Sequence, residues 1–331
     1  MNIRLKKTLR GVALAIAAGT AAFAGTLAYA AGAFPTKPIR ILVTGGAGAN
    51  LDVATRAVAE QMSRNLGEPV IVENVAGAGG LIALRQIAKR TPADGYTLLT
   101  TANTVVLAAA FSKEPGYDPV TDLTGIGDMQ QVPYLLVGPA SQPSKTLAEL
   151  IAEAKAKPGE LSMANGGVGT STHLPALLFA QQAGIQLSHI SYRGNGPALP
   201  DLIGGRLNLL FDAGITAGPM IAAGKLRAFG VSTAKRVAAF PNIPTLAEQG
   251  LTNFDFKGYL GMYAPAGTPK DVVKRLHEAL RVATSSDAVR DQFRSGGAEA
   301  GTTTPEEWNE FIKQDMARAA KVVKDLGIEK Q

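Results

Sequence analysis

The chain has 331 residues, with 33 Lys+Arg against 27 Asp+Glu and no cysteine. The missing thiol excludes disulfides, thiolate metal sites and a lipid-anchored cysteine. Four of the bases, Arg4, Lys6, Lys7 and Arg10, lie in the first 30 residues, which hold no acid; without them 29 bases face 27 acids, a balance of +2 that makes no case for nucleic acid.

Residues 1–30 read as a secretory signal peptide. The four bases open it, a small-residue apolar run follows over 12–27, and Ala28-Tyr29-Ala30 fits an A-x-A cleavage site, as does Ala31-Gly32-Ala33. The other reading is an uncleaved membrane anchor, because the run approaches spanning length; the cleavage motif and the Ala/Gly content favour removal. No adjacent Arg pair is present, so the general export route is expected, with the processed protein in a periplasm. About 300 remaining residues suggest two packed lobes rather than one core.

Strand candidates fall at 39–43, 70–73, 96–100, 134–137, 161–164, 187–192, 207–211, 226–231 and 256–264, with helical segments between them. This alternation predicts α/β architecture with parallel sheets covered by helices. After the first strand, the loop 44–52 is glycine-rich; Asn50 is placed to cap the following helix and Asp52 falls in its first turn. Strand 70–73 runs through Gly77, Gly79 and Gly80 into a helix over 81–89. That junction aims free backbone N–H groups and a positive helix pole at open space, which suits an anion. An ordinary tight connection is the alternative reading. Thr146 and Glu149 make a capping box before 147–156; Thr268-Pro269 and Thr304-Pro305 mark two later helix starts. The third glycine loop, 164–173, carries hydroxyls at Thr170, Ser171 and Thr172. A fourth junction spans 192–197, and Asp212, at the end of LNLLFD, is a fifth candidate, either in a pocket or as a cap for 214–220.

Catalysis and cofactors find little support. Gly46-x-Gly48 lacks the third glycine of a dinucleotide fingerprint, because Leu51 stands in its place. His173, His189 and His277 are not spaced as metal ligands, and no G-x-S-x-G elbow occurs. No cofactor is expected. A hydrolase using Ser171 and His173 is the one enzymatic alternative.

Ordered motifs span nearly the whole exported chain: FPTKPIRILV at 34–43, GEPVIVENVAGAGG at 67–80, PADGYTLL at 92–99, YDPVTDLTGIG at 117–127, KPGELSMANGGVGTSTHL at 157–174 and SYRGNGPALPDLIGGRLNLLFD at 191–212. Through these the sequence resembles the Bug family, the solute-binding proteins of tripartite tricarboxylate transporters. The resemblance implies a type II periplasmic-binding-protein fold: two doubly wound α/β lobes, 34–134 with 260–331 and 135–259, joined by two crossing strands around a ligand cleft. It implies a small organic carboxylate held largely by backbone N–H groups, and membrane permease subunits as partners. A sensor that signals to a membrane regulator is the alternative, and a monomer is the default. Carried over by position, the ligand residues are Thr44, Gly45, Gly48, Asn50, Ala78, Gly79, Gly80, Leu81, Asn165, Gly169, Thr170, Ser171, Tyr192 and Asp212. The sequence departs from the family pattern at Thr44, Gly45, Gly46 and Ala49, which stand where Pro, Phe, Pro and Gly are usual. Leu81 replaces a common Asn and Tyr259 a common Trp. A roomier, more apolar pocket is expected, suited to a bulkier or aromatic monocarboxylate.

Overall fold

Isoleucine and valine dominate the first strand, β1 (Ile39–Val43), and bury every side chain except Arg40, which reaches Glu73 on the next strand at 3.3 Å. β1 pairs in parallel with β2 (Val70–Asn74) on one side and β3 (Thr97–Ala102) on the other. The coordinates are a computed structural model describing residues 34–330, so the expected signal peptide lies outside the described residues. From Lys37 onward the contacts define one unit. Among the described residues no helix is long and apolar enough to cross a membrane.

The sheets are mixed rather than wholly parallel. β4 (Leu123–Pro139) is a single 17-residue strand, of which the sequence pattern revealed only the last part. Its first part pairs antiparallel with β9 (Lys257–Pro265), which also pairs antiparallel with β3; together they complete a sheet in the order β2-β1-β3-β9-β4. The last part of β4 enters a second sheet, pairing antiparallel with β7 (Leu209–Ala213) and β8 (Leu226–Val231). β5 (Ser162–Asn165) joins that sheet in parallel with β7 and with β6 (Ser188–Ser191). A short β10 (Glu299–Ala300) pairs with β4. Two α/β lobes thus share one continuous strand, the type II periplasmic-binding-protein arrangement.

Helices pack on both sheets. They are α1 (Asn50–Leu66), α2 (Leu81–Arg90), α3 (Thr104–Phe111), α4 (Leu147–Ala156), α5 (His173–Ala183), α6 (Asn195–Ile203), α7 (Gly214–Ala222), α8 (Lys270–Ser285), α9 (Asp287–Ser295) and α10 (Pro305–Asp325). The Thr304–Glu307 capping box forms at the start of α10, and Thr146 caps α4 by accepting from Glu149 N–H. Two expected caps do not form. Pro269 is the N-cap of α8, while Thr268 turns its hydroxyl back to Pro265 O at 2.8 Å. Asn50 is the first residue of α1 rather than its cap, which is Ala49. α3 has no sequence signal, because all eight of its residues are buried and no polar face marks a helical period.

The second passage between the sheets runs from the end of β8 into β9, and Ser232 ties it to the first. Ser232 N–H donates to Tyr134 O at 2.8 Å, and Phe256 N–H donates to Ser232 O at 2.8 Å. The Ser232 hydroxyl accepts from Tyr134 N–H at 3.0 Å and donates to Phe256 O at 2.7 Å. Gly258 lies against the Tyr134 ring, where a Cβ would sit 2.5 Å from Cε2. Behind this passage, Tyr259 sits edge-on to Trp308 and Phe311 and donates to Asp315 at 2.8 Å, which accounts for a tyrosine at that position. Ser232 is fully buried. Ser232→Ala strands one backbone donor and one acceptor, so it should cost about 1–3 kcal/mol in urea unfolding; an unchanged midpoint would show that the crossing does not depend on this hydroxyl.

Candidate functional site

Strands of both sheets end at the cleft, and the helices that follow them start there. The chamber they enclose measures about 70 Å³. It is lined by Asn50 and Leu51 at the start of α1, Thr104 at the start of α3, Ser171 and Thr172 just before α5, Asn195 at the start of α6 and Ala213 just before α7. Five helix starts thus bring their positive dipole ends toward one small space. Thr44, Gly45, Thr170, Tyr134, Asp212 and Leu260 complete much of the wall, and among the described residues no Lys, Arg or His belongs to it.

The loop between β1 and α1 is held by an ion-pair network beneath it. Asp52 accepts from Gly48 N–H, Arg56 Nε and Asn74 Nδ2 at 2.9, 2.9 and 3.0 Å, and Asn74 also donates to Gly45 O at 3.0 Å. Burial pushes the Asp52 carboxyl up, but these donors and the Arg56 charge together hold it below its ordinary value. Gly48 therefore serves the loop and does not line the chamber. Thr44 is fixed by a 2.9 Å hydroxyl contact with Thr101.

The lobes meet backbone against backbone. A Cβ on Gly79 would collide with Val168 O, and one on Gly196 would collide with Ala47 O; at Gly46 it would sit 2.6 Å from Arg193 O, and at Gly169 3.0 Å from Ala108 Cα. These contacts redistribute the expected site residues. Thr44, Gly45, Asn50, Thr170, Ser171 and Asp212 reach the inner chamber, whereas Ala78, Gly79, Leu81 and Tyr192 line a separate outer space of about 740 Å³ with Arg85, Phe111 and Arg193. Gly80 packs under Thr44 and Thr104. Asn165 is buried and braces its loop, accepting from Gly167 N–H at 2.9 Å and Ser191 Oγ at 3.0 Å. The room expected at Gly46 is taken by the 193–197 segment, with the Pro197 ring 3.5 Å from a Cβ there, whereas a Cβ on Gly45 would meet Leu51 Cδ2 at 3.8 Å. Losing a proline side chain at Gly46 admits the other lobe, whereas Gly45, which stands where phenylalanine is usual, stays on the chamber wall.

Thr104, Tyr134 and Leu260 are wall residues outside the expected set, and Asn195, from the expected junction at 192–197, joins them. Tyr134 lies beside Ser171, and burial pushes its phenol up to about 12. Asn195 Nδ2 donates to Phe211 O at 2.8 Å and Asp212 Oδ1 at 2.9 Å, two acceptors that orient the amide and leave Oδ1 buried without a donor. Asn50 Oδ1 is likewise buried and unpartnered. Asp212 is pushed up to about 6 by burial, against hydrogen bonds from Thr216, Asn195 and Ala213 N–H. The Ser171–His173 hydrolase does not assemble: His173 Nδ1 takes Gly169 N–H at 3.4 Å and its ring lies 5.4 Å from Phe111 and 5.8 Å from His189.

The "Tripartite tricarboxylate transporter family receptor" profile matches residues 54–328. The chain belongs to this receptor family. It is similar to the solved periplasmic binding protein BugD, at 34% identity and a TM-score of 0.87 over 90% of this chain and 100% of BugD. A second similar structure is Rpa4515 of R. palustris with adipate, at 32% identity and a TM-score of 0.85 over 89% of this receptor and 99% of that protein. A third is MatC from Rhodopseudomonas palustris with bound malate, at 27% identity and a TM-score of 0.84 over 88% and 100%.

His173 carries a pH prediction. Burial, and then the nearby His189, lower its imidazole to about 4. The unfolded chain therefore binds this proton first as pH falls, and stability drops between about pH 6.5 and pH 4. His173→Asn keeps an acceptor for Gly169 N–H and should remove about 2–3 kcal/mol of that acid-side loss, read from urea midpoints across the range; an unchanged slope would assign the loss to other groups.

Proposed function

We propose that this receptor works in the periplasm, closing on a small organic carboxylate and delivering it to the permease subunits of a membrane transporter. The observation that carries this reading is the convergence of five helix starts on a chamber without a basic side chain. A carboxylate accepts from several N–H groups at once, and the helix poles supply favourable potential without a counter-ion. The acids bound by MatC and Rpa4515 support the chemical class. The chamber's size favours a short aliphatic acid over the aromatic or bulky one that the loop departures suggest. Two buried acceptors, Asn50 Oδ1 and Asn195 Oδ1, suit a solute that also brings a hydroxyl.

Delivery requires opening, and the hinge is read at the Tyr134–Ser232–Phe256 crossing, with 34–134 and 260–331 moving against 135–259. Contacts made by both lobes select the closed state when solute is present.

Purified receptor should gain stability with malate, succinate or adipate and none with the corresponding neutral amides. A solute at 100 times its dissociation constant adds about 2.7 kcal/mol, an upward melting shift of several degrees. Stabilisation by neutral sugars and not by acids would overturn the reading. Gly196→Ala should weaken binding of the same acid at least tenfold while leaving the solute-free melting temperature near that of wild type, because its methyl group obstructs closure at Ala47 O; equal affinities by calorimetry would show that this contact is not part of the bound state.

A further inference from the structure

Asp212, next to last in β7, has 2% of its surface exposed. Its Oδ1 accepts from Asn195 Nδ2 at 2.9 Å and its Oδ2 from Thr216 Oγ1 at 2.5 Å, with Ala213 N–H adding a backbone bond. The groups around it are Asn195 from α6, Thr216 from α7, Ser171 from the loop before α5 and the Tyr134 phenol from β4. Tyr134 is the one titratable group among them, and it stays neutral at any physiological pH. A carboxylate solute in this chamber faces a buried carboxylate with no cation on the wall to offset the pair. Like charges at such range, out of bulk water, do not both stay ionised.

The surroundings accommodate either protonation state of Asp212. Thr216 Oγ1 lies 3.0 Å from Ala213 O as well as 2.5 Å from Asp212 Oδ2. While Asp212 is ionised, the Thr216 hydroxyl donates to Oδ2. Once Oδ2 is protonated, it donates to Thr216 Oγ1 and the threonine proton turns to Ala213 O, so no polar hydrogen is left unpaired.

We propose that the receptor takes up one proton with each carboxylate it binds, the proton passing from water or buffer to Asp212 Oδ2. This rests on the carboxylate reading above. Burial, against the hydrogen bonds from Thr216, Asn195 and Ala213, already holds the Asp212 carboxyl up at about 6, and a second negative charge in the chamber raises it further. Below that pH the group is protonated beforehand and binding takes up nothing. Above it, the apparent dissociation constant rises tenfold per pH unit until the bound-state value is passed.

The test is calorimetry at pH 7 in phosphate, MOPS and Tris buffers, whose ionisation enthalpies differ, with whichever of malate, succinate or adipate stabilises the receptor. The expected uptake is close to one proton per acid at pH 7, declining toward pH 5.5. Asp212→Asn abolishes the uptake and flattens affinity between pH 6 and 8. Thr216→Val, which removes a donor to the ionised carboxyl, moves the onset of weakening to higher pH, a shift that a merely structural threonine would not cause. Binding by wild type without proton uptake, or uptake undiminished in Asp212→Asn, overturns this proposal alone. Failure of every acid to bind overturns the carboxylate reading and this one together. If Asp212→Asn does not fold, the wild-type stoichiometry and the Thr216→Val profile decide.

Discussion

The structure depends on main chain reaching main chain across the cleft. Gly46, Gly79 and Gly196 bring one backbone onto another so closely that a methyl group at any of them displaces the facing carbonyl. Only this approach gathers helix starts from both sheets around a chamber of about 70 Å³. Side chains at those positions would hold the lobes apart and leave each helix start facing water, where an isolated N-terminus binds an anion weakly. Glycine therefore serves geometry here as much as conformational freedom.

A binding chamber without cations has consequences for specificity. Charged side chains are long and adaptable, whereas amides at helix starts are fixed by the helices that carry them, so the solute must fit the donors rather than recruit them. The acceptors that share the wall are equally fixed. Asn195 cannot turn its amide without breaking two hydrogen bonds, and Asp212 is gripped from three directions. The hydrogen-bonding groups of the wall thus hold one fixed pattern.

The hinge follows from the same economy. One strand, β4, belongs to both sheets, so no flexible linker is needed; the second passage is bound to it through the fully buried Ser232. Two hydrogen-bonded strands cross between the sheets side by side, so neither can bend without the other.

Much of the architecture was legible in the amino-acid sequence. β1 falls on the predicted residues, the Thr304 capping box forms, and the glycine loops mark strand-to-helix junctions, because alternation, capping and turns are set by neighbours a few residues away. The ordered motifs identified the receptor family. What the sequence did not reveal depends on distant partners. α3 carries no periodic signal because it is buried all round; the span of β4 across two sheets is decided by its pairing with β9, β7 and β8. The division of the glycine-loop residues between inner chamber, outer space and loop support is likewise decided by which backbone lies opposite. Asp212 was visible as a strand-ending acid, but its place against Asn195 and Thr216, away from any cation, exists only once strands and helices separated in the chain are packed together.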